Sequence, residues 1–364
     1  MTKVSVIGRG VVTPLGDTPE SVFAAAREGR SALCLHEGRA PIEPYFASLL
    51  DRGGYSGPSF FEEICLRAAR SAIADAGIDP AEAGTSLILS TIKGDIGQLE
   101  GGDASLAVPA RHLAEALGVP AEPVVVSNAC ISGLAALVQG MRMLRAGACK
   151  RVIVVGAELQ TPFIVSGFQS LKALSPEACR PFDAARCGLN LGEAAAAVIL
   201  ARSDASTDSG WTLVEGAIRN DANHISGPSR TGEGSYNALR AVLPWVEKED
   251  LAFVNVHGTA TLYNDEMEAI ALQRAGLLDV PVNSLKGVFG HTMGAAGILE
   301  CIVSMEALEA GVVLPTRGFQ TLGVSAPVSV SATQRAAKGR SFIKLLSGFG
   351  GVNGALLLRK GGAR

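Results

Sequence analysis

The chain has 364 residues, with 32 Lys and Arg against 35 Asp and Glu, so its formal net charge is −3. Hydrophobic residues make up 48% and charged residues 18%, which excludes intrinsic disorder and provides for a large core. The slight acidic excess argues against nucleic acid as a partner, because proteins that bind phosphate backbones are usually basic. The length predicts two domains or one large duplicated unit.

Short β-rich runs alternate along the chain with Ala- and Leu-rich helical runs. Helices are predicted from Pro19 to just before Gly29 and over 61–76, each followed by a glycine that ends it. The predicted strands cover residues 4–7, 86–90, 123–127, 151–156 and 196–201. Their almost continuous apolar runs are typical of strands buried on both faces, so we expect an α/β fold with mainly parallel strands.

Two segments of similar design indicate an internal duplication. In 123–147 and in 281–311, a strand leads through a tight turn into a long apolar helix that ends at a glycine. The polar stretch 203–210 has the composition of a linker between the two halves. We therefore expect an N-terminal half over 1–205 and a C-terminal half over 211–364.

The cysteines and the N-terminus indicate the cellular compartment. The seven cysteines include no CxxC pair, which fits reduced thiols better than a disulfide framework or a zinc ribbon. The N-terminus lacks the apolar segment of a signal peptide, and no apolar run is long enough to span a bilayer. We expect a cytoplasmic protein with no membrane partner.

Cys130 is the candidate nucleophile, because it lies where a buried strand turns into an apolar helix. A helix N-terminus offers unpaired N–H groups and a positive dipole end, which favour the reactive thiolate. The small neighbours Ala129, Ser132 and Gly133 allow a substrate or another backbone to approach closely. The other interpretation is a buried structural cysteine, which we expect for the remaining six. Cys130 is then the only cysteine expected to be alkylated rapidly.

Two histidines also fall at strand-to-helix turns, the edge of a parallel sheet where α/β proteins place their sites. His257 follows an apolar strand, and His291 follows Lys286 across a glycine turn. A third turn, over 346–354, is rich in glycine, so its backbone N–H groups suit an oxyanion hole, although it can also be a plain turn between two strands. The Gly8-Arg9-Gly10 segment lacks the third glycine and the helix of a nicotinamide site.

Taken together, these segments resemble the β-ketoacyl-acyl carrier protein synthases, the Cys-His-His condensing enzymes of the thiolase fold. The resemblance runs nearly end to end and rests on motifs in family order. They are the opening at 8–16, Arg-Pro-Phe-Asp at 180–183, the 221–229 segment, HGTxT at 257–261, Lys-x4-His-x3-AAG at 286–297 and GFGGxNG at 348–354. The resemblance implies a duplicated fold of α-β-α-β-α layers.

The resemblance also implies the reaction: a decarboxylative Claisen condensation that gives a 3-oxoacyl-acyl carrier protein in fatty acid, polyene or polyketide synthesis. Cys130 would hold the acyl group, and His257 and His291 would stabilise the enolate formed from malonyl-acyl carrier protein. The oxyanion hole would use the N–H groups of Cys130 and Phe349, with Gly350 in the same turn. Phe349 would also gate access to the thiol.

Further roles follow from the same resemblance. Lys286 and Glu268 match a supporting pair that would set the histidine tautomers, and Thr259 and Thr261 match residues that bind the pantetheine arm. No metal or organic cofactor is implied beyond the phosphopantetheine of the acyl carrier protein. The protein is expected to form a homodimer, or a heterodimer with a related synthase or chain-length factor, through the strand at 123–127.

Some features depart from the family pattern. The family's GEGAG reads Gly-Glu-Ala-Ala-Ala at 192–196, and Ile131 is bulkier than the usual residue after the nucleophile. The segment at 90–95 is similar to that of synthases from aryl polyene and flexirubin-type pathways.

Two alternatives stay open. Cys130 and the two histidines are also possible zinc ligands, although the nearby Lys286 disfavours a bound cation. The chain can also be a non-catalytic subunit similar to a chain-length factor, although such subunits generally lack the nucleophile.

Overall fold

The computed structural model describes residues 2–38, 42–101, 105–202 and 210–361. The helices in these ranges are α1 (Pro19–Arg27), α2 (Phe60–Ala76), α3 (Ala107–Leu117), α4 (Ser132–Arg145), α5 (Pro162–Ser170), α6 (Glu233–Val242), α7 (Leu262–Arg274), α8 (Lys286–Phe289) and α9 (Ala296–Glu309). The strands are β1 (Val4–Val12), β2 (Cys34–His36), β3 (Tyr45–Ser48), β4 (Thr85–Ser90), β5 (Val124–Val126), β6 (Arg151–Glu158), β7 (Leu191–Gly192), β8 (Ala194–Arg202), β9 (Trp211–Asn220), β10 (Leu251–Asn255), β11 (Val282–Asn283), β12 (Val312–Val313), β13 (Arg335–Ala336), β14 (Ser341–Gly348) and β15 (Val352–Lys360).

The principal sheet has ten strands in the order β11-β10-β14-β15-β9-β1-β8-β6-β4-β5. Its two halves join where β1 and β9 pair antiparallel through residues 4–6 and 211–213. Outward from that junction, β8, β6, β4 and β5 follow with two antiparallel and then two parallel pairings. On the other side β15, β14, β10 and β11 repeat the same pattern. The equal topology is that of a duplicated fold. Five of these nine pairings are antiparallel, so the expectation of mainly parallel strands is wrong.

Among the described residues, the core has three main clusters of buried side chains. One lies on the sheet face that both halves turn to the centre, and the other two lie on the outer face, one in each half. One face of both halves packs around α4 and α9 at the centre of the molecule. The other face of the N-terminal half packs against α2 and α3, and that of the C-terminal half packs against α6 and α7. The layers therefore run helix, sheet, helix, sheet, helix, which confirms the predicted α-β-α-β-α fold.

Strand β1 is longer than the sequence predicts, because Gly8 and Gly10 continue it. A Cβ added to Gly8 would lie 2.2 Å from the carbonyl oxygen of Ala72, and one added to Gly10 would lie 2.2 Å from that of Ala68. Only glycine lets α2 approach the strand this closely. These two glycines therefore serve helix–strand packing and not a phosphate-binding turn.

The predicted linker falls largely outside the described residues, which omit 203–209. The boundaries of the two halves, 1–205 and 211–364, therefore stay a prediction. Within the described ranges, no helix is both long enough and apolar enough to cross a membrane.

Candidate active site

The three residues predicted to carry the chemistry come together in the structure. Cys130 precedes α4, His257 lies between β10 and α7, and His291 lies between α8 and α9. One side-chain sulfur or nitrogen atom from each lies within 4.8 Å of the others, and all three residues are buried. The two imidazole centroids are 5.0 Å apart at an interplanar angle of 81°. All three residues line one cavity of about 480 Å³.

The turn that carries Cys130 is braced by its own neighbours. Ala129 has a φ of +46°, a conformation that costs a non-glycine residue free energy. The Ser132 hydroxyl accepts a hydrogen bond from the Asn128 N–H at 2.8 Å and donates to the Ala129 carbonyl at 2.6 Å. The Phe349 N–H donates to the thiol sulfur of Cys130. Ile131 packs in the central core, so its bulk does not narrow the cavity.

The ionisation state of Cys130 differs from the sequence prediction. Burial raises the pKa of the thiol to about 11, although Lys286 and the Phe349 N–H act in the opposite direction. The loss of hydration therefore outweighs the helix N-terminus and favours the protonated thiol at neutral pH. The helix N-terminus, which the sequence analysis expected to favour the thiolate, is therefore not the dominant influence on this thiol.

Both histidines are held neutral. Burial, followed by the charges of Lys286 and Lys344, lowers the pKa of His257 and of His291 well below the ordinary value. The Nδ1 atom of His291 accepts a hydrogen bond from the Met293 N–H at 3.3 Å, so its proton lies on Nε2. Among the described residues, His291 Nε2 and His257 Nδ1 are buried with no partner. The Nε2–H of His291 is therefore free to donate to a ligand.

Glu268 holds the backbone beside His257 and does not contact the imidazole. Its carboxylate accepts hydrogen bonds from the N–H groups of His257 and Gly258, both at 2.7 Å, and from Asn264 Nδ2 at 2.9 Å. Burial raises its pKa to about 7. Lys286, the other member of the predicted supporting pair, forms its ion pair with Glu300 and not with Glu268. The tautomer of His291 is set by the Met293 N–H, and not by either member of that pair.

Glu300 on α9 bridges two buried lysines. Lys286 binds its Oε1 atom, and Lys344 on β14 binds its Oε2 atom at 2.5 Å. Burial raises the pKa of Glu300, but the two ammonium groups outweigh that effect and hold it below the ordinary value. Sequence reasoning missed Glu300 and Lys344. Their one signal is that each is a single charged residue inside an apolar run.

The two predicted pantetheine-binding residues lie together in the cavity wall. The hydroxyls of Thr259 and Thr261 are 2.9 Å apart, and both residues line the cavity. Asp265, which the sequence analysis also missed, holds their turn by accepting from the N–H groups of Thr259 and Ala260 at 3.0 and 3.2 Å. Burial raises the pKa of Asp265 to about 6.

The glycine-rich turn after β14 contains Phe349, whose N–H is one of the two predicted oxyanion donors, and Gly350. Phe349 lines the cavity, its N–H reaches Cys130, and its ring stacks on Phe168 with centroids 6.0 Å apart. The Gly350 N–H instead donates to the Ile225 carbonyl at 2.7 Å. Gly350 is therefore not available as an oxyanion donor, and that part of the prediction is wrong.

The distances among Cys130, His257 and His291 also admit a metal ion, since sulfur and imidazole nitrogen are zinc ligands. Two ammonium groups, those of Lys286 and Lys344, act on both imidazoles by their charge. The positive charges of these two lysines would repel a metal cation bound between the imidazoles and the thiol. The site therefore suits an anionic oxygen better than a metal ion.

Two family models match the chain, described as Beta-ketoacyl synthase, N-terminal domain, over residues 58–206, and Beta-ketoacyl synthase, C-terminal domain, over 212–320. The tetracenomycin polyketide synthase ketoacyl synthase alpha subunit of Streptomyces glaucescens is 30% identical, with 88% of this chain and 83% of that protein covered. The 3-oxoacyl-[acyl-carrier-protein] synthase 2 of Vibrio harveyi is 29% identical over 98% of both chains.

A solved ketosynthase in complex with its chain length factor, from Xenorhabdus doucetiae, shares the fold. The TM-score is 0.85 and the sequence identity 23%, with 99% of this chain and 98% of that chain covered.

Proposed function

Because the chain belongs to the β-ketoacyl synthase family and is a condensing enzyme, we propose that it joins an acyl group held on Cys130 to malonyl-acyl carrier protein. The product is a 3-oxoacyl-acyl carrier protein. The observation that carries the proposal is the convergence of one thiol and two neutral imidazoles within 4.8 Å in one cavity.

In the first half-reaction, the acyl group passes from the carrier's thiol to Cys130. The Cys130 sulfur attacks the thioester carbonyl, and its proton moves to a neighbouring imidazole as the new bond forms. His257 suits this role, because no main-chain donor occupies its Nδ1 atom, whereas His291 presents a proton. The proton then passes to the departing carrier thiol, so atoms and charge balance.

In the second half-reaction, the malonyl group loses carbon dioxide, and the electron pair of the broken bond forms an enolate. His257 and His291 donate hydrogen bonds to the enolate oxygen, and losing one such donor typically costs about a hundredfold in rate. The enolate carbon attacks the acyl carbonyl on Cys130, the carbon–sulfur bond breaks, and the departing Cys130 thiolate takes up one proton from solvent to re-form the thiol. The N–H groups of Phe349 and Cys130 support the oxygen of the tetrahedral intermediate.

The pantetheine arm enters as part of the substrate, and the chain needs no cofactor of its own in this proposal. The cavity extends from Cys130 past Thr259 and Thr261 to residues such as Leu262 and Tyr263, which are 56% and 78% exposed. A passage of this kind fits a narrow arm delivered by an acyl carrier protein. The two threonine hydroxyls suit the amide groups of that arm.

The proposed assembly is a dimer, either of two identical chains or with a related chain-length factor. Strand β5 is the last strand of the sheet, is paired on one side with β4, and its three valines are half-buried. An apolar strand of this kind at a sheet edge is a template for pairing with a second chain. The pathway, including the aryl polyene assignment, and the cytoplasmic location stay predictions.

Intact-protein mass after incubation with acyl-carrier proteins of graded chain length tests the proposal. The mass is expected to rise by one acyl group in the unmodified protein and to stay unchanged in Cys130→Gln. Release of carbon dioxide from malonyl-carrier protein is followed in parallel. If neither loading nor release occurs with any carrier, the chain is a non-catalytic subunit similar to a chain-length factor.

A further inference from the structure

Lys344 is a buried cation that the mechanism above does not use. It lies in the middle of β14, where Phe342 and Leu346 face the central core and Ile343 and Leu345 face the outer one. Because side chains alternate between the two faces of a strand, Lys344 lies on the same face as Phe342 and Leu346, toward the central core. Its side chain has no exposed surface. An apolar residue would fill this position at a lower cost in free energy, because removing the charges of an ion pair from water usually offsets their mutual attraction.

The ammonium of Lys344 is fully used. It donates to Asn255 Oδ1 at 2.6 Å, to the Val256 carbonyl at 3.1 Å and to Glu300 Oε2 at 2.5 Å. An ammonium has three N–H donors, so these three acceptors satisfy it completely. Two of the three acceptors belong to the residues that directly precede His257. Lys344 therefore fixes the end of β10 at the point from which the imidazole projects.

Glu300 does not need Lys344 as a counter-charge, because Lys286 already pairs with it. Burial lowers the pKa of Lys344, but its three acceptors need the three N–H donors of an ammonium, so the cluster of Lys286, Lys344 and Glu300 carries one excess positive charge. Both lysines contribute to keeping His257 and His291 neutral. Cys130 lies within 4.8 Å of both imidazoles, Glu268 on α7 accepts from the His257 N–H, and the charge of His291 also lowers the pKa of His257.

We propose that Lys344 is a positioning residue for the decarboxylation step, which fixes the backbone before His257 and places a second positive charge beside the two imidazoles. The inference rests on the function proposed above and adds a residue to its machinery. A neutral imidazole donates one N–H while remaining uncharged, whereas an imidazolium would pair with the malonyl carboxylate and hold there the negative charge that must move to the enolate oxygen as neutral carbon dioxide departs. The excess charge from the lysines favours the neutral form.

Lys344→Gln tests the charge, because glutamine retains polar contacts with Asn255 and Val256. The protonation of His257 and His291 is followed by NMR of histidine-labelled protein, with signals assigned through His257→Asn and His291→Asn. In the unmodified protein, both imidazoles are expected to stay neutral at a pH well below that at which an ordinary histidine takes up a proton, because burial lowers the pKa of each. In Lys344→Gln, the titration midpoint of at least one is expected to move upward by about one pH unit. The acid limb of carbon dioxide release from malonyl-carrier protein should move in the same direction.

Three further variants complete the test. Lys344→Arg keeps the charge and should titrate as the unmodified protein does, and Lys338→Met removes an exposed lysine as the matched control. Lys344→Met provides the same charge test if Lys344→Gln does not fold. The proposal is overturned if a folded Gln or Met variant leaves both midpoints unchanged, or if both imidazoles of the unmodified protein titrate at the ordinary value. Because the titration needs no substrate, failure of the proposed function appears separately, as absence of carbon dioxide release.

Discussion

Gly133 on α4 and Gly297 on α9 meet at the closest approach of the two central helices. A Cβ on Gly297 would lie 2.2 Å from the Leu134 nitrogen, and one on Gly133 would lie 2.9 Å from the Gly294 carbonyl oxygen. Cys130 directly precedes α4, and His291 lies shortly before α9. The contact between the two glycines therefore helps to set the distance between the thiol and the second imidazole.

Gly297→Ala is expected to lower the free energy of unfolding by about 2 kcal/mol, because the added methyl group meets rigid backbone. Denaturant titration measures the change. Gly167→Ala is the matched control, since that helical glycine has open space around it and alanine favours the helix there. Equal stability of the Gly297→Ala variant and the unmodified protein would show that the helices do not need this close contact.

Alkylation of Cys130 is expected to depend steeply on pH. Burial raises its thiol pKa to about 11, so the thiolate fraction grows about tenfold for each pH unit between 7 and 10. Cys34 and Cys187 are exposed, so they are the cysteines against which the prediction that Cys130 alone reacts quickly is tested. Iodoacetamide labelling with quantitative peptide mapping gives all three rates in one sample. A rate at Cys130 that does not change over this pH range would contradict the protonated free thiol.

How far the sequence predicts the structure depends on how far apart the interacting residues lie in the chain. Helices and strands follow from local signals, as Thr18 shows by capping α1 and Gly77 by ending α2 in the left-handed conformation. The extension of β1 escaped prediction, because the reason for Gly8 and Gly10 is the backbone of α2, more than 50 residues away.

The same limit applies to the site. Cys130, His257 and His291 stand in recognisable motifs, and the structure brings them together. The partner of Lys286 is Glu300 and not Glu268, and only the crossing of α8 and α9 decides between them. The loss of Gly350 as a donor depends on the Ile225 carbonyl, 125 positions earlier in the chain.

Light scattering at micromolar concentration is expected to give twice the 37.4 kDa of one chain, or a stable complex with a second chain of similar size. The physical reason is the half-buried apolar edge strand β5. A single species of 37.4 kDa, with no partner found on co-expression with related chains, would contradict the proposed assembly.

Metal analysis separates the proposed site from a zinc centre. The purified protein is expected to contain far less than one equivalent of zinc, and incubation with a chelator should leave acyl loading of Cys130 unchanged. The reason is the pair of lysines whose charge acts on both imidazoles. Stoichiometric zinc that is lost together with loading would overturn this interpretation.

The most direct test of the account measures both half-reactions in the same set of variants. Carbon dioxide release from malonyl-carrier protein is recorded beside acyl-enzyme formation by intact mass. His291→Ala should lower decarboxylation by about a hundredfold, because the enolate oxygen loses a donor, while loading of Cys130 falls less. Cys130→Gln should abolish loading and leave decarboxylation in place, because the two imidazoles are intact. If His291→Ala decarboxylates at the normal rate and fails to load, the roles assigned to the thiol and the imidazoles are wrong.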